Sequence, residues 1–514
     1  MDVEKDQARV KAFNSLPCKS LSPSRMVPNT WYFDLRYISI DPPSHMLFLY
    51  QPGSHFIHTE PLPHNNPPEQ PGIAFFPENG EQAATEVVKV IMHGFLNSFG
   101  IGHFEQHPPD AFAPFKLMTE DSSLAREVGK ELKRIGVTHK NLWNVQVAPD
   151  STLRVAHENF KTLYGHMKTR MGLKVLAFAS FETPCSIVFL NPSRYKEMIT
   201  RDDSADRTCA YMSQLRNAKL AEENFSGDKM MKELDTLSRL FETRPLDTVK
   251  READGGNGMS AIDYALRVRN GIGCTPNRAT IHEYLVKAIQ TPSSNDVTKS
   301  IAHSLLINWY TDALKPDHGL PIRYLLAAAY HADQAVTLAH GNASPAVLFF
   351  GLNLMKPAAE KVLQLYAQFK NVWSAVDKRN EEIEKERIHA QTKRMEKPNR
   401  YRCANVGCLI QTDTGKMLRQ CSGKCDPDKK PSYCSKECVT DQKADWKNHK
   451  PFCKPGQLCS VIAPESDYGM IRTHSGALSI PIQHSNERTT LLSSSTWSAE
   501  DLRKIKRELE NKRT

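Results

Sequence analysis

The sequence predicts a multidomain α+β protein: an N-terminal mixed α/β domain, a central all-α helical array and a small two-zinc finger near the C-terminus. Three observations carry this expectation. Strand-like and helix-like stretches alternate through the first part of the chain, up to about residue 195. From Asp202 onward apolar residues recur at helical spacing and strand signals disappear. Between Cys403 and Cys453 the chain concentrates seven cysteines and one histidine in four close pairs.

The bulk properties bound the rest. A chain of 514 residues has room for two to four domains. Its 40% hydrophobic and 24% charged residues are ordinary for a protein that builds cores. No run approaches the roughly 18 apolar residues of a membrane span. The start, Met1-Asp2-Val3-Glu4-Lys5-Asp6, is charged and lacks the apolar stretch of a signal peptide. The cysteines are therefore expected as thiols and thiolates in a reducing compartment, nucleus or cytoplasm. The net charge of +9 is mild for this length.

Residues 1–28 show no periodicity and read as a loose leader, before an α+β domain over 29–195. Trp31 to Ile40 and Met46 to Tyr50, separated by Asp41-Pro42-Pro43-Ser44-His45, carry a hairpin signal. Pro52 to Pro77 holds seven prolines and reads as loop. A helix is expected from Glu81 to Asn97. A second has Thr119 or Asp121 as cap, a Leu124, Val128, Leu132 stripe and Gly136 as stop. Leu142 to Val147 reads as a strand and Ser151 to Met167 as a helix. Leu173 to Phe181 and Ser186 to Leu190 read as strands. His103-Phe104-Glu105-Gln106-His107 has a metal-like spacing but sits in a Gly- and Pro-flanked loop with no further ligand close by. It reads as surface. Gly100-Ile101-Gly102 is too short for a phosphate-binding loop.

Residues 200–376 read as a helical domain, with helices at 230–241, 261–270, 280–290, 298–314, 321–340, 344–354 and 358–376. Gly258-Met259-Ser260-Ala261-Ile262-Asp263-Tyr264-Ala265 resembles one ankyrin repeat, but no second copy follows at that period. Over 377–400 the helix continues as a charged linker, its apolar stripe reduced to Ile383, Ile388 and Met395.

The finger, residues 401–455, offers Cys403, Cys408, Cys421, Cys425, Cys434, Cys438, His449 and Cys453. Eight ligands supply two tetrahedral zinc sites with no position left for water, which marks structural sites. The segment's own apolar residues are too few to offset backbone ordering of roughly 1–2 kcal/mol per residue, whereas a structural zinc contributes about 10–16 kcal/mol in small peptides. Spacing alone allows sequential or interleaved sharing of the ligands. Tyr433-Cys434-Ser435-Lys436-Glu437-Cys438, then Gln442-Lys443-Ala444-Asp445-Trp446-Lys447-Asn448-His449 and Cys453, resemble the MYND-type zinc finger. That resemblance covers about a tenth of the chain. It implies interleaving: Cys403, Cys408, Cys434 and Cys438 on one zinc, Cys421, Cys425, His449 and Cys453 on the other. The first pairs depart from the family in their wider spacing, and Val439-Thr440-Asp441 stands as an insertion. Cys459 reads as a free thiol.

In the tail, 460–514, Ser498 with Asp501 can cap a short basic helix carrying Leu502, Ile505 and Leu509. It reads as a docking helix. The MYND resemblance implies an adaptor, not an enzyme, whose finger grips a short, proline-containing peptide of a protein partner in transcriptional or other intracellular regulation, with Trp446 and Gln442 at the contact. One alternative is a SET-type protein-lysine methyltransferase, but only 61 residues follow Cys453 and none forms its methyl-donor block. The other is nucleic-acid binding. Residues 401–459 hold eleven Lys and Arg against six Asp and Glu, and seven thiolates with two divalent ions leave a charge of only about +2.

Overall fold

A computed structural model describes residues 2–38, 44–64, 75–99, 111–170, 183–189, 203–220, 227–312, 322–360 and 368–396. It also describes 401–511 apart from 402, 406–407, 413–417, 428–429, 436–437, 439–448, 458–477, 484–488 and 495–496. The N-terminal region is mixed α/β, the central part is helical, and the Cys-rich cluster lies near the C-terminus. Residues 1–377 form one compact unit and residues 378–514 a second.

In the first unit a five-stranded sheet runs β3-β2-β1-β4-β5. β1 (Thr30–Ile38), β2 (Ser44–Gln51) and β3 (Phe56–Leu62) are antiparallel neighbours; β1 pairs in parallel with β4 (Lys116–Thr119), and β4 with β5 (Gln146–Val147). β1 is central and buried along nearly its whole length. On one face Trp31, Phe33 and Leu35 pack with α2 (Gly80–Leu96) and α3 (Ser122–Arg134). On the other, Tyr32 and Phe48 pack with Ala156, Phe160 and Tyr164 of α4 (Asp150–Arg170). That second face also buries an ion pair. Arg36 Nε and Nη2 reach the Asp34 carboxylate at 2.9 and 2.6 Å, and the guanidinium lies 4.1 Å from the centre of the Phe160 ring. Asn79 and Asp121 cap α2 and α3 by accepting from the Gln82 and Leu124 amides.

Several expectations are corrected. The leader contains α1 (Asp2–Asn14), whose Phe13 is fully buried; among its described side chains Val10 and Phe13 reach the core, a stripe too sparse to stand out. The proline-rich loop contains β3, and Pro61 and Pro63 obscure that edge strand in the sequence. Within Leu142–Val147 the strand shrinks to β5 after a 3₁₀ turn at Lys140–Trp143. Residues 186–189 form no strand, although the Ile187 amide donates to Leu35 O at 2.7 Å. Residues 100–110 and 173–181 lie outside the described residues.

Among the described residues between Ser204 and Glu396 ten α-helical segments follow. They are α5 (Ser204–Ala218), α6 (Gly227–Thr243), α7 (Leu246–Asp254), α8 (Gly258–Asn270), α9 (Arg278–Gln290), α10 (Asp296–Thr311), α11 (Ile322–Leu338), α12 (Pro345–Phe350), α13 (Lys356–Ala359) and α14 (Lys370–Glu396). α5 and α7 were not anticipated. A π-turn at Gly351–Met355 joins α12 to α13. From α7 to α11 each helix packs on the next, over one apolar core. Glu78, just ahead of α2, reaches into this array. His282 Nε2 of α9 and His331 Nε2 of α11 each stand 2.9 Å from its carboxylate, and the Tyr310 hydroxyl of α10 donates to it. Burial alone would raise the Glu78 carboxyl, but the charge and hydrogen bonds of His331 and His282 outweigh it and hold it well below the usual range.

Two predictions follow from these buried groups. Glu78→Ala leaves two imidazoles and a phenol without their shared acceptor, and should cost about 3–5 kcal/mol in denaturant unfolding followed by tryptophan fluorescence. His45 sits among Tyr37, Phe75 and Phe76, and burial with the Arg323 charge pushes its imidazole down to about 3. Above the ordinary value of 6.5 both states are neutral; between 6.5 and about 3 only the unfolded chain takes the proton, so stability falls on acidification. His45→Phe should flatten that slope by about 1.4 kcal/mol per pH unit, measured as unfolding free energy between pH 6 and about 4; an unchanged slope would remove His45 from the account.

Candidate metal centres

The second unit gathers the eight candidate ligands into two groups whose donor atoms all lie within 4.8 Å of one another. Cys403, Cys408, Cys434 and Cys438 form the first; Cys421, Cys425, His449 and Cys453 form the second. The grouping is interleaved. In the first, the Cys408, Cys434 and Cys438 sulfurs stand 3.4, 3.6 and 3.7 Å apart pairwise. In the second, Cys425 Sγ lies 3.3 Å from His449 Nε2 and 3.4 Å from Cys453 Sγ, and Cys421 Sγ lies 3.9 Å from Cys453 Sγ. None of the seven cysteines is in a disulfide.

These spacings fit a tetrahedral ion. Zinc–sulfur bonds of about 2.3 Å at the tetrahedral angle separate two sulfurs by about 3.8 Å. Hydrogen bonding among the four thiols, burial and mutual repulsion push the Cys403 thiol up, so the four do not ionise together unaided. A divalent ion lets all four ionise.

Backbone hydrogen bonds hold the loops that carry several of the ligands. The Cys403 amide donates to Ile410 O at 2.9 Å, closing the loop that carries Cys403 and Cys408. The Ala404 amide donates to Ser432 O and ties that loop to β8 (Ser432–Tyr433), which pairs with β7 (Arg419–Gln420) and leads into Cys434. The Cys421 amide donates to Pro431 O. His449 and Cys453 flank a 3₁₀ turn, Lys450–Phe452, instead of sharing one α-helical face. At Gly423 the amide donates to Cys421 Sγ at 3.3 Å, and an added Cβ would collide with Cys453 Sγ.

The expectation that metal alone must hold a nearly coreless segment is overturned. β6 (Gln411–Thr412) pairs with β9 (Leu478–Gln483), which pairs with β10 (Thr489–Ser494), in a three-stranded antiparallel sheet. Leu478, Ile480, Ala499 and Leu502 are buried together with Ile410, Leu418, Tyr433 and the ligand cysteines. The last two belong to the tail helix α15 (Ala499–Asn511), which begins with the anticipated Ser498–Asp501 box: Ser498 Oγ donates to Asp501 Oδ2 at 2.7 Å and accepts from the Asp501 amide. Leu509 is exposed and takes no part in the core.

α15 also delivers a residue that sequence reasoning missed. Arg503 Nη2 donates to Cys434 Sγ at 3.0 Å, Cys438 Sγ at 3.2 Å and Cys408 Sγ at 3.5 Å. Four thiolates and one divalent ion leave two negative charges, and the guanidinium offsets part of that. The only signal in the sequence was a capped basic helix, which says nothing of a target 69 residues away. Gln442, Trp446 and Cys459 lie outside the described residues. Comparisons with protein-family models, curated proteins and solved structures return no match for this chain.

Two outcomes are expected from these contacts. Arg503→Met should weaken the first centre's hold on zinc by about 10–100-fold in a chelator competition, leaving the second centre unchanged. Gly423→Ala should do the reverse, displacing Cys453 and releasing one zinc per chain while the first centre stays loaded. Equal loss from both centres in either variant would contradict the assignment.

Proposed function

We propose that residues 401–514 form a two-zinc, MYND-type interaction finger that binds a short, proline-containing peptide of a partner protein in the nucleus or cytoplasm. The observation that carries the reading is the pair of complete, interleaved four-ligand sets. With all four positions of each ion taken by protein, water has no place to be activated, so the zincs scaffold and do not catalyse. Phe452, between His449 and Cys453, is more than a third exposed and adds an apolar contact beside the second centre. Trp446 and Gln442, whose block resembles the peptide-contacting part of the family, supply the rest of the recognition surface. Zinc-bound thiolates persist in the reducing interior of the cell, in keeping with that location.

The sheet and helix supplied by residues 478–511 belong to the finger's core, so the test uses the full chain. A mercurial reagent should release two zincs per chain, because it displaces metal from thiolates. A screen of proline-containing peptides should then show binding by wild type, with affinity lost on Trp446→Ala and on zinc removal. Equal binding by wild type and Trp446→Ala, or none by either, defeats the peptide mechanism; steep salt-dependent affinity for DNA or RNA would favour the nucleic-acid alternative.

A further inference from the structure

Besides the finger's two sets, one group among the described residues brings three ligand-type donor atoms all within 4.8 Å of one another; it lies in the first unit, far in sequence from the finger, and comprises Glu60, His64 and His93. Glu60 stands on the edge strand β3, His64 two residues beyond that strand's end, and His93 in the last turn of α2. His93 Nδ1 lies 2.9 Å from Glu60 Oε2, and His64 Nδ1 lies 3.6 Å from the same oxygen. The two imidazole rings are 4.2 Å apart, centre to centre. A second layer fixes these groups. His58, two residues before Glu60 and so on the same strand face, places Nε2 2.6 Å from Glu60 Oε1. The His64 amide donates to Glu86 Oε2 at 3.2 Å, and Lys89 Nζ holds the other Glu86 oxygen at 2.8 Å. Gly94 makes room for His58, since a Cβ there would stand 3.3 Å from its ring.

We propose that Glu60, His64 and His93 bind a divalent first-row transition ion, with His58 as the positioning residue that orients Glu60. Neutral rings protonated on Nδ1 can donate to Glu60; in the other tautomer His64 Nδ1 and His93 Nδ1 present lone pairs beside its carboxylate oxygen, and a divalent cation takes all three donors at once. Two imidazoles and a carboxylate form a ligand set that suits zinc with one position open, as well as ferrous iron. The set is also partly exposed: the His64 and Glu60 side chains retain 12% and 11% of their accessibility and His93 retains 36%. A water or small anionic ligand therefore has access to the remaining position, unlike the closed centres of the finger. The carboxylate hydrogen bond from His58 is the outer-layer partner that such sites use to hold a ligand's orientation.

The test uses the full chain and is independent of the finger's role. After equilibration with micromolar free zinc and rapid desalting, wild type should hold three zincs, of which a mercurial reagent releases two. His64→Gln and His93→Gln should each hold two, all mercurial-releasable, and His58→Ala should weaken the third by about 10–100-fold. Cobalt added to wild type already carrying its two thiolate-bound zincs should give visible d–d absorption without sulfur-to-cobalt charge transfer, a readout that needs no variant. Total zinc equal to the mercurial-releasable zinc in wild type, a third equivalent that survives both glutamine variants, or no cobalt absorption would overturn the proposal.

Discussion

Thiolates crowded to within 4 Å of one another repel strongly in a partly dry site, and only a cation among them makes the arrangement stable. That constraint governs the second unit. It explains why the ligands come from four separate loops held by backbone hydrogen bonds, since a loop free to swing would relieve the repulsion by opening. It also rationalises Arg503. The all-sulfur centre carries more negative charge than the centre with a histidine, and the all-sulfur centre is the one an arginine approaches.

Metal does not hold this unit alone. Leu478, Ile480, Ala499 and Leu502 close an apolar core over the ligand cysteines, and β9 extends the sheet that begins at β6. Sulfur ligands and apolar side chains therefore share one interior, which keeps water from the thiolates and strengthens every electrostatic contact made to them. α15 is at once a packing element, through Ala499 and Leu502, and an electrostatic one, through Arg503. One helix turn spans both roles because residues 499, 502 and 503 fall on one face at helical spacing.

The legible parts of the sequence were those set by local chemistry. Cysteine pairs with metal spacing, the Asp121 and Ser498 caps, the Leu124, Val128, Leu132 stripe and the β1–β2 hairpin each declare themselves within a few residues. The missed parts depend on partners distant in sequence. Among the described side chains α1 buries Phe13 and Val10, β3 carries Pro61 at an edge, and the finger's core waits on Leu478, 66 positions beyond Thr412. Glu78 shows the same limit: nothing around it announces a buried carboxylate that meets histidines more than two hundred residues away. His58-Thr59-Glu60-Pro61-Leu62-Pro63-His64 could have been marked as a ligand-type spacing, but His93, on a separate helix, completes the set only in the fold.

The carboxylates Glu78 and Glu60 show how burial decides what a histidine cluster is for. Glu78 is buried with two imidazoles and a phenol on its carboxylate, and the cluster ties the segment ahead of α2 to the helices behind it. Glu60 meets imidazoles from the strand, from the turn after it and from α2, and the His93 side chain stays 36% exposed to solvent. A buried cluster braces the elements that it joins, whereas one reached by solvent can admit a further ligand. The same reasoning separates Glu60 from the finger. Eight candidate ligands suffice to close two ions, whereas Glu60, His64 and His93 would leave a position open on the ion proposed there.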